Sequence, residues 1–105
     1  VEKPWWASRF FKKYFLMKVS VELFGVAREF STKAHLDFEL VENSSIKDLR
    51  NQMIDFVDLN FKGNETFKKI IKSSAFCSSD DKIVSDNYKI VKKQNFSIIP
   101  PIGGG

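Results

Sequence analysis

A chain of 105 residues and 12.1 kDa has room for one compact core, since single domains organise about 50 to 200 residues, and this argues against a two-domain enzyme. Hydrophobic residues make up 43% and charged residues 29%, a globular rather than disordered balance; no apolar run approaches the roughly 18 residues that span a bilayer, so a soluble chain is expected. The net charge of +4 is held unevenly: residues 1–16 carry Lys3, Arg9, Lys12 and Lys13 against Glu2 alone, which leaves the body nearly neutral and without the clustered cations that phosphate binding needs.

Neither nucleic acid nor a membrane is therefore expected as a partner. Lys68, Lys69 and Lys72 form the only helix-like basic cluster and read as the solvated side of an amphipathic helix. One cysteine excludes an internal disulfide, and with one histidine it cannot complete a four-ligand zinc site from this chain. A lone thiol suits the reducing cytosol, so a cytoplasmic location is expected.

Residues 1–16 differ from everything after them, with Trp5, Trp6, Phe10, Phe11, Tyr14 and Phe15 set among cations. They read as an appendage, either a surface or targeting stretch or non-native or upstream-encoded residues ahead of a natural start at Met17, and the second reading is favoured. From Met17 the pattern alternates: Met17, Val19, Val21 and Leu23 point one way, and Lys18, Ser20 and Glu22 the other. This is the period of a half-buried strand. After Gly25 and a short polar stretch through Ser31 and Thr32, Leu36, Phe38 and Leu40 alternate with His35, Asp37 and Glu39 in a second strand, hairpinned to the first.

Ser45 before Ile46, with Asp48 three residues on, announces a capped helix whose apolar stripe is Ile46, Leu49, Met53, Phe56 and Val57. Asn64 caps a second helix of about two turns carrying Phe67, Ile70 and Ile71. Ala75 to Cys77 is a short strand, Ser78 to Lys82 a polar turn, and Ile83 to Val91 an irregular or edge stretch without a clean period. Phe96 and Ile98 flank Ser97 in a last strand that Ile99 continues until Pro100 and Pro101 stop it, because proline offers no ladder donor. The order packs most simply as an α+β fold, a mixed sheet over one main helix with the first and last strands adjacent. That is the β-grasp, or ubiquitin-like, arrangement, although other α+β sandwiches share the order. The division is thus an appendage (1–16), a β-grasp domain (17–99) and an extended tail (100–105).

The body carries no catalytic constellation. His35 alternates with apolar residues and faces solvent, without a nucleophile at a recognisable spacing. Cys77, beside Ala75 and Phe76, reads as a small buried thiol, and the glycines form no phosphate-cradling series. What remains is the ending Ile98-Ile99-Pro100-Pro101-Ile102-Gly103-Gly104-Gly105. A buried strand runs directly into two prolines, whose fixed φ favours a semi-rigid exit from the sheet. Three glycines then make the thinnest polypeptide, accessible from every side. From Ile102 to the carboxylate the chain reaches roughly 13 to 14 Å when extended, enough to enter a narrow channel in another protein. A mobile or adventitious glycine end is the plain alternative; the strand without a spacer, the Pro-Pro and the glycines together favour a presented reactant.

This ending resembles the C-terminus of the small, sulfur-carrying subunit of molybdopterin synthase, a ubiquitin-like family that closes in Pro-Pro, an aliphatic residue, a small residue and Gly-Gly. Leu23-Phe24-Gly25-Val26-Ala27-Arg28-Glu29 resembles the end of that family's first strand and its turn. The family's acidic, glycine-containing turn before the last strand is replaced by Lys92-Lys93-Gln94-Asn95, where Asn95 is expected to supply the left-handed residue.

The resemblance implies that Gly105 is adenylated by an enzyme of the ubiquitin-activating type and converted to a thiocarboxylate. It further implies that Gly103 and Gly104 line the threaded tail, and that Pro100, Pro101 and Ile102 direct it into a large catalytic subunit. There sulfur passes to cyclic pyranopterin monophosphate in molybdenum cofactor biosynthesis. The chain would then be a sulfur donor rather than an enzyme by itself, with no permanently bound cofactor and only a transient acyl-adenylate from ATP. Rival readings are a carrier for thiazole synthesis or transfer RNA thiolation, a modifier joined to lysines of target proteins, and a binding module with an inert tail.

Overall fold

The computed structural model describes residues 16–91 and 93–101. Strand β1 (Leu16–Leu23) pairs antiparallel with β2 (His35–Val41) and parallel with β7 (Gln94–Ile99). β7 in turn pairs with β4 (Ala75–Ser78), and β4 with β5 (Ile83–Val84), both antiparallel. The five-stranded sheet therefore runs β2-β1-β7-β4-β5, with the last strand in its middle and β1 beside it, as the β-grasp reading requires. Leu16 already pairs with Val41, so the strand includes one residue assigned above to the appendage.

One face of the sheet is covered by α1 (Ile46–Asn60). The capping box is present: the Ser45 hydroxyl accepts from the Asp48 N–H, and Asp48 Oδ2 accepts from the Ser45 N–H at 2.8 Å. Ile46, Leu49, Met53 and Val57 are buried against Val19, Val21, Leu23, Phe96 and Ile98, and Phe56 packs at the margin. α1 ends at a turn in which Lys62 (φ 53°) and Gly63 (φ 68°) are left-handed and the Gly63 N–H reaches the Val57 carbonyl. Asn64 then caps α2 (Glu65–Ser73), its side chain accepting from the Phe67 N–H at 3.1 Å.

Several stretches differ from the sequence reading. The segment after β1 is not merely polar: Gly25–Phe30 forms a 3₁₀ turn that buries Ala27 and Phe30. Phe30 starts an aromatic chain along one flank, meeting Phe67 at 5.1 Å between ring centres, with Phe61, Phe56 and Phe38 following. The stretch 83–91 is an edge only in part. Ile83–Val84 is the edge strand, whereas β6 (Lys89–Ile90) pairs with β3 (Ser44–Ser45) in a separate two-stranded ladder and buries Ile90. The same stretch meets the orphan donors that every helix N-terminus leaves: the Ile46 N–H donates to the Tyr88 carbonyl and the Lys47 N–H to the Asp86 carbonyl.

Two further readings are corrected. Asn95 is not left-handed; it lies within β7, paired with Ser20, because the strand already begins at Gln94. Cys77 is half-buried rather than buried, because the two-residue period that sends Phe76 into the core sends its neighbour to the other face.

Candidate functional site

The elements converge on the root of the tail. Because β7 runs parallel to β1 with Ile98 opposite Leu23, the chain leaves the sheet where β1 gives way to Phe24 and Gly25. Gly25 is left-handed (φ +57°), and a Cβ there would lie 3.8 Å from Pro100 Cγ, so the first proline sits against the β1 turn. Pro100 and Pro101, both half-buried, form one wall of a groove of about 360 Å³ whose other walls are Val26 and the α2 residues Thr66, Lys69, Ile70 and Ser73. The prolines are thus seated on the body of the domain. Ile102, Gly103, Gly104 and Gly105 lie outside the described residues.

The far wall is held in place from α1. Arg50 Nη1 donates to the carbonyls of Ile71 at 2.7 Å and Ser74 at 2.8 Å, and Nη2 to Asp86 at 2.8 Å. Its guanidinium lies 4.9 Å from the Phe76 ring centre. A cation thus closes the negative end of α2, where the last carbonyls lack helical partners. Nothing in the local sequence marks Arg50 for this; its acceptors lie more than twenty residues away.

The open face of the sheet carries the polar alternates. Lys18, Ser20 and Glu22 of β1 stand opposite Glu39, Asp37 and His35 of β2. The Ser20 hydroxyl donates to Asp37 Oδ1 at 2.5 Å, while His35 Nε2 lies 3.7 Å from the same oxygen and Lys18 Nζ 3.6 Å from Oδ2. The hydrogen bond from Ser20, aided by the positive charge of Lys18, holds the Asp37 carboxyl below its ordinary range. This trio is not a nucleophile relay. The hydroxyl is bonded to the carboxylate itself, whereas an activated serine must give its proton to an imidazole that the carboxylate orients. His35 is exposed, as its alternation implies.

Of the basic cluster, Lys68 is bound to Asp58 at 2.6 Å; this hydrogen bond raises its pKa and leaves it poorly placed for phosphate. Among the described residues no group of three or more His, Cys, Asp or Glu side chains could hold a metal ion, and no helix is long and apolar enough to cross a membrane.

No protein-family model matches the sequence, and no curated protein matches it. Solved structures do. A putative molybdopterin converting factor, subunit 1, from Pyrococcus furiosus aligns with a TM-score of 0.59 at 19% identity, over 82% of this chain and 99% of that one. The small archaeal modifier protein 1 of Haloferax volcanii aligns with a TM-score of 0.61 at 9% identity, over 82% and 99%. A ubiquitin of Caldiarchaeum subterraneum gives 0.55 at 13%, over 87% and 100%. Different as those proteins are in name, they share one architecture with this chain, which has the ubiquitin-like β-grasp fold.

Proposed function

We propose that the chain is a ubiquitin-like sulfur carrier whose reacting group is the carboxylate of Gly105, and that it serves as the small subunit of molybdopterin synthase. The observation that carries this reading is the course of β7. The strand occupies the middle of the sheet, runs straight into Pro100 and Pro101 on the rim, and is followed in sequence by Ile102-Gly103-Gly104-Gly105. The likeness to a molybdopterin converting factor subunit 1 supports the same assignment.

The chemistry suits such a tail. A carboxylate is a poor electrophile; attack on ATP by its oxygen expels pyrophosphate and creates an acyl-adenylate with a good leaving group. The outer sulfur of a donor persulfide then displaces AMP to give an acyl disulfide, and attack by a second thiol on the donor's inner sulfur leaves a disulfide on the donor and a thiocarboxylate, nucleophilic at neutral pH, on the chain. Gly103 and Gly104 present no side chains to the channel that receives them, while Pro100, Pro101 and Ile102 set the direction of entry. The side chains that catalyse activation and transfer belong to the adenylating enzyme and to the large synthase subunit, with cyclic pyranopterin monophosphate as acceptor.

A second reading is favoured by the likeness to a small archaeal modifier protein: the same adenylate is captured by a lysine of a target protein, giving an isopeptide. Intact mass after incubation with an adenylating enzyme, ATP and a sulfur donor separates the two. Replacement of one oxygen by sulfur supports the carrier, conjugates of higher mass support the modifier, and an unchanged mass rejects both. Deleting Gly105, or adding one residue after it, is expected to abolish the sulfur adduct while the far-ultraviolet circular dichroism stays the same; adduct formation in either variant contradicts the role of Gly105.

A further inference from the structure

The sheet has two edges of different length. β5 offers two residues, whereas β2 offers seven, with no strand on its outer side among the described residues and no proline or bulge to interrupt its register. One bond fixes the phase of its backbone. The Leu23 N–H donates to the Ala34 carbonyl, so in this antiparallel register Leu36, Phe38 and Leu40 bond to β1, and His35, Asp37 and Glu39 turn their N–H and carbonyl groups outward. The Glu39 carbonyl agrees, since it accepts from Gln52 Nε2 of α1 at 3.2 Å. The Asp37 N–H and carbonyl and the Glu39 N–H have no partner among the described residues. A bare row of donors and acceptors along a regular strand is a template for one more strand.

The two sides of this edge differ, and the difference defines what fits. On the α1 side Leu36 and Phe38 are half-buried, Phe38 meets Phe56 edge-on at 6.3 Å between ring centres, and Leu59, one turn beyond Phe56, is 85% exposed. On the open side Asp37 and Glu39 are exposed; Lys18 reaches Asp37, and Glu39 has no ion pair among the described residues. Asp55, one turn after Gln52 on α1, is exposed as well. We propose that β2 takes up, as a sixth strand, an extended segment of a partner protein in which apolar residues alternate with Lys or Arg. The apolar residues lie over Leu36, Phe38 and Phe56, and the cations stand opposite Asp37 and Glu39, where opposite charges across a strand pair stabilise it. A second copy of this chain fits poorly. Pairing β2 with β2 over its full length centres the twofold on Phe38 and sets Asp37 opposite Glu39 on both sides of it, like charge against like. β1 stands between β2 and β7, so the segment docks away from the tail, and the inference does not rest on the chemistry proposed there.

A synthetic heptapeptide of alternating lysine and valine, blocked at both ends and titrated into the isotope-labelled full chain, tests this by amide NMR. The Asp37 and Glu39 amides are expected to shift and to exchange more slowly with solvent, because their N–H groups gain acceptors. In this pairing the lysines of the peptide are the residues whose N–H groups face β2. Methylating the lysine backbone nitrogens should therefore weaken binding about tenfold or more, whereas methylating the valine nitrogens, which face away, should keep it within about threefold. The peptide with glutamate in place of lysine should bind about tenfold more weakly. Glu39→Pro removes an outward N–H and leaves the ladder to β1 intact, so it should lose binding with the circular dichroism retained; if that variant does not fold, the two methylated peptides on the unmodified chain decide. Absence of a shift at Asp37 and Glu39 with millimolar peptide overturns the proposal. So does equal binding of the two methylated peptides, equal binding of the basic and acidic peptides, or a shift of the same amides on concentrating the chain alone, which assigns the edge to a second copy.

Discussion

Removing the guanidinium of Arg50 while keeping its stem tests whether the groove beside the tail is held from α1. In Arg50→Met the stem still packs over Phe76, but two charge-assisted bonds to the Ile71 and Ser74 carbonyls are lost, along with the pair to Asp86. Each bond to a charged donor contributes about 1.5 to 3 kcal/mol net. Asp86 is 48% exposed and rehydrates when abandoned, so that pair adds at most about 1 kcal/mol. Arg50 Nε is buried with no partner among the described residues, and removing it offsets part of the loss. A destabilisation of roughly 3 to 5 kcal/mol follows, a large share of the 5 to 15 kcal/mol typical of a domain. Urea unfolding followed by circular dichroism measures it as a lower midpoint at constant slope. Asp86→Ala in parallel should cost no more than about 1 kcal/mol. If Arg50→Met falls within 1 kcal/mol of the parent, or matches Asp86→Ala, the carbonyl bonds are not what fixes α2 and the reasoning fails.

Leu49 is wholly buried in mid-stripe, so Leu49→Ala should lower stability by about 2 to 5 kcal/mol through a core cavity, and an unchanged urea midpoint would refute this placement of the helix. At Gly25 the left-handed backbone makes Gly25→Ala cost about 1 to 2 kcal/mol, with Gly25→Asn milder in the same unfolding assay; equal costs would point to crowding by Pro100 instead of backbone strain. The depressed Asp37 carboxyl binds its proton less readily in the folded chain than in the unfolded one. Its stabilisation is therefore present above the ordinary value of 3.8 and is lost as pH falls through the lower folded value. Ser20→Ala should bring the carboxyl back toward its ordinary range in a carbon-detected NMR titration and flatten the acid limb of stability; an unmoved titration would show that Ser20 is not the cause.

The parts of this fold that could be read from the sequence are those whose signal is local. β1, β2 and β7 alternate with a period of two, and Ser45 with Asp48 announces α1 through a bond between residues three apart. The parts that escaped depend on partners far along the chain. Ile90 belongs to a two-residue strand, too short to show any period, and it is buried only because Ser44 and Ser45 pair with it. Phe30 sits among polar neighbours and is drawn inward by Phe67. Cys77 has apolar neighbours, yet strand phase and not their company sets the face it occupies. At the candidate site, Pro100 and Pro101 were legible as the stop of β7, but the groove they border needs α2, and α2 is anchored by an arginine whose acceptors no local pattern reveals. Gly105 rests on composition and resemblance.

The insertion of β7 between β1 and β4 has a mechanical consequence. A pull on the tail acts along the strand axis, and the hydrogen bonds on both flanks lie across that axis. The load is shared by two ladders in shear rather than peeling one pair at a time, the geometry in which a strand resists extraction best. If a partner draws on the end, as the proposed function requires, the pull is therefore taken up by both ladders at once.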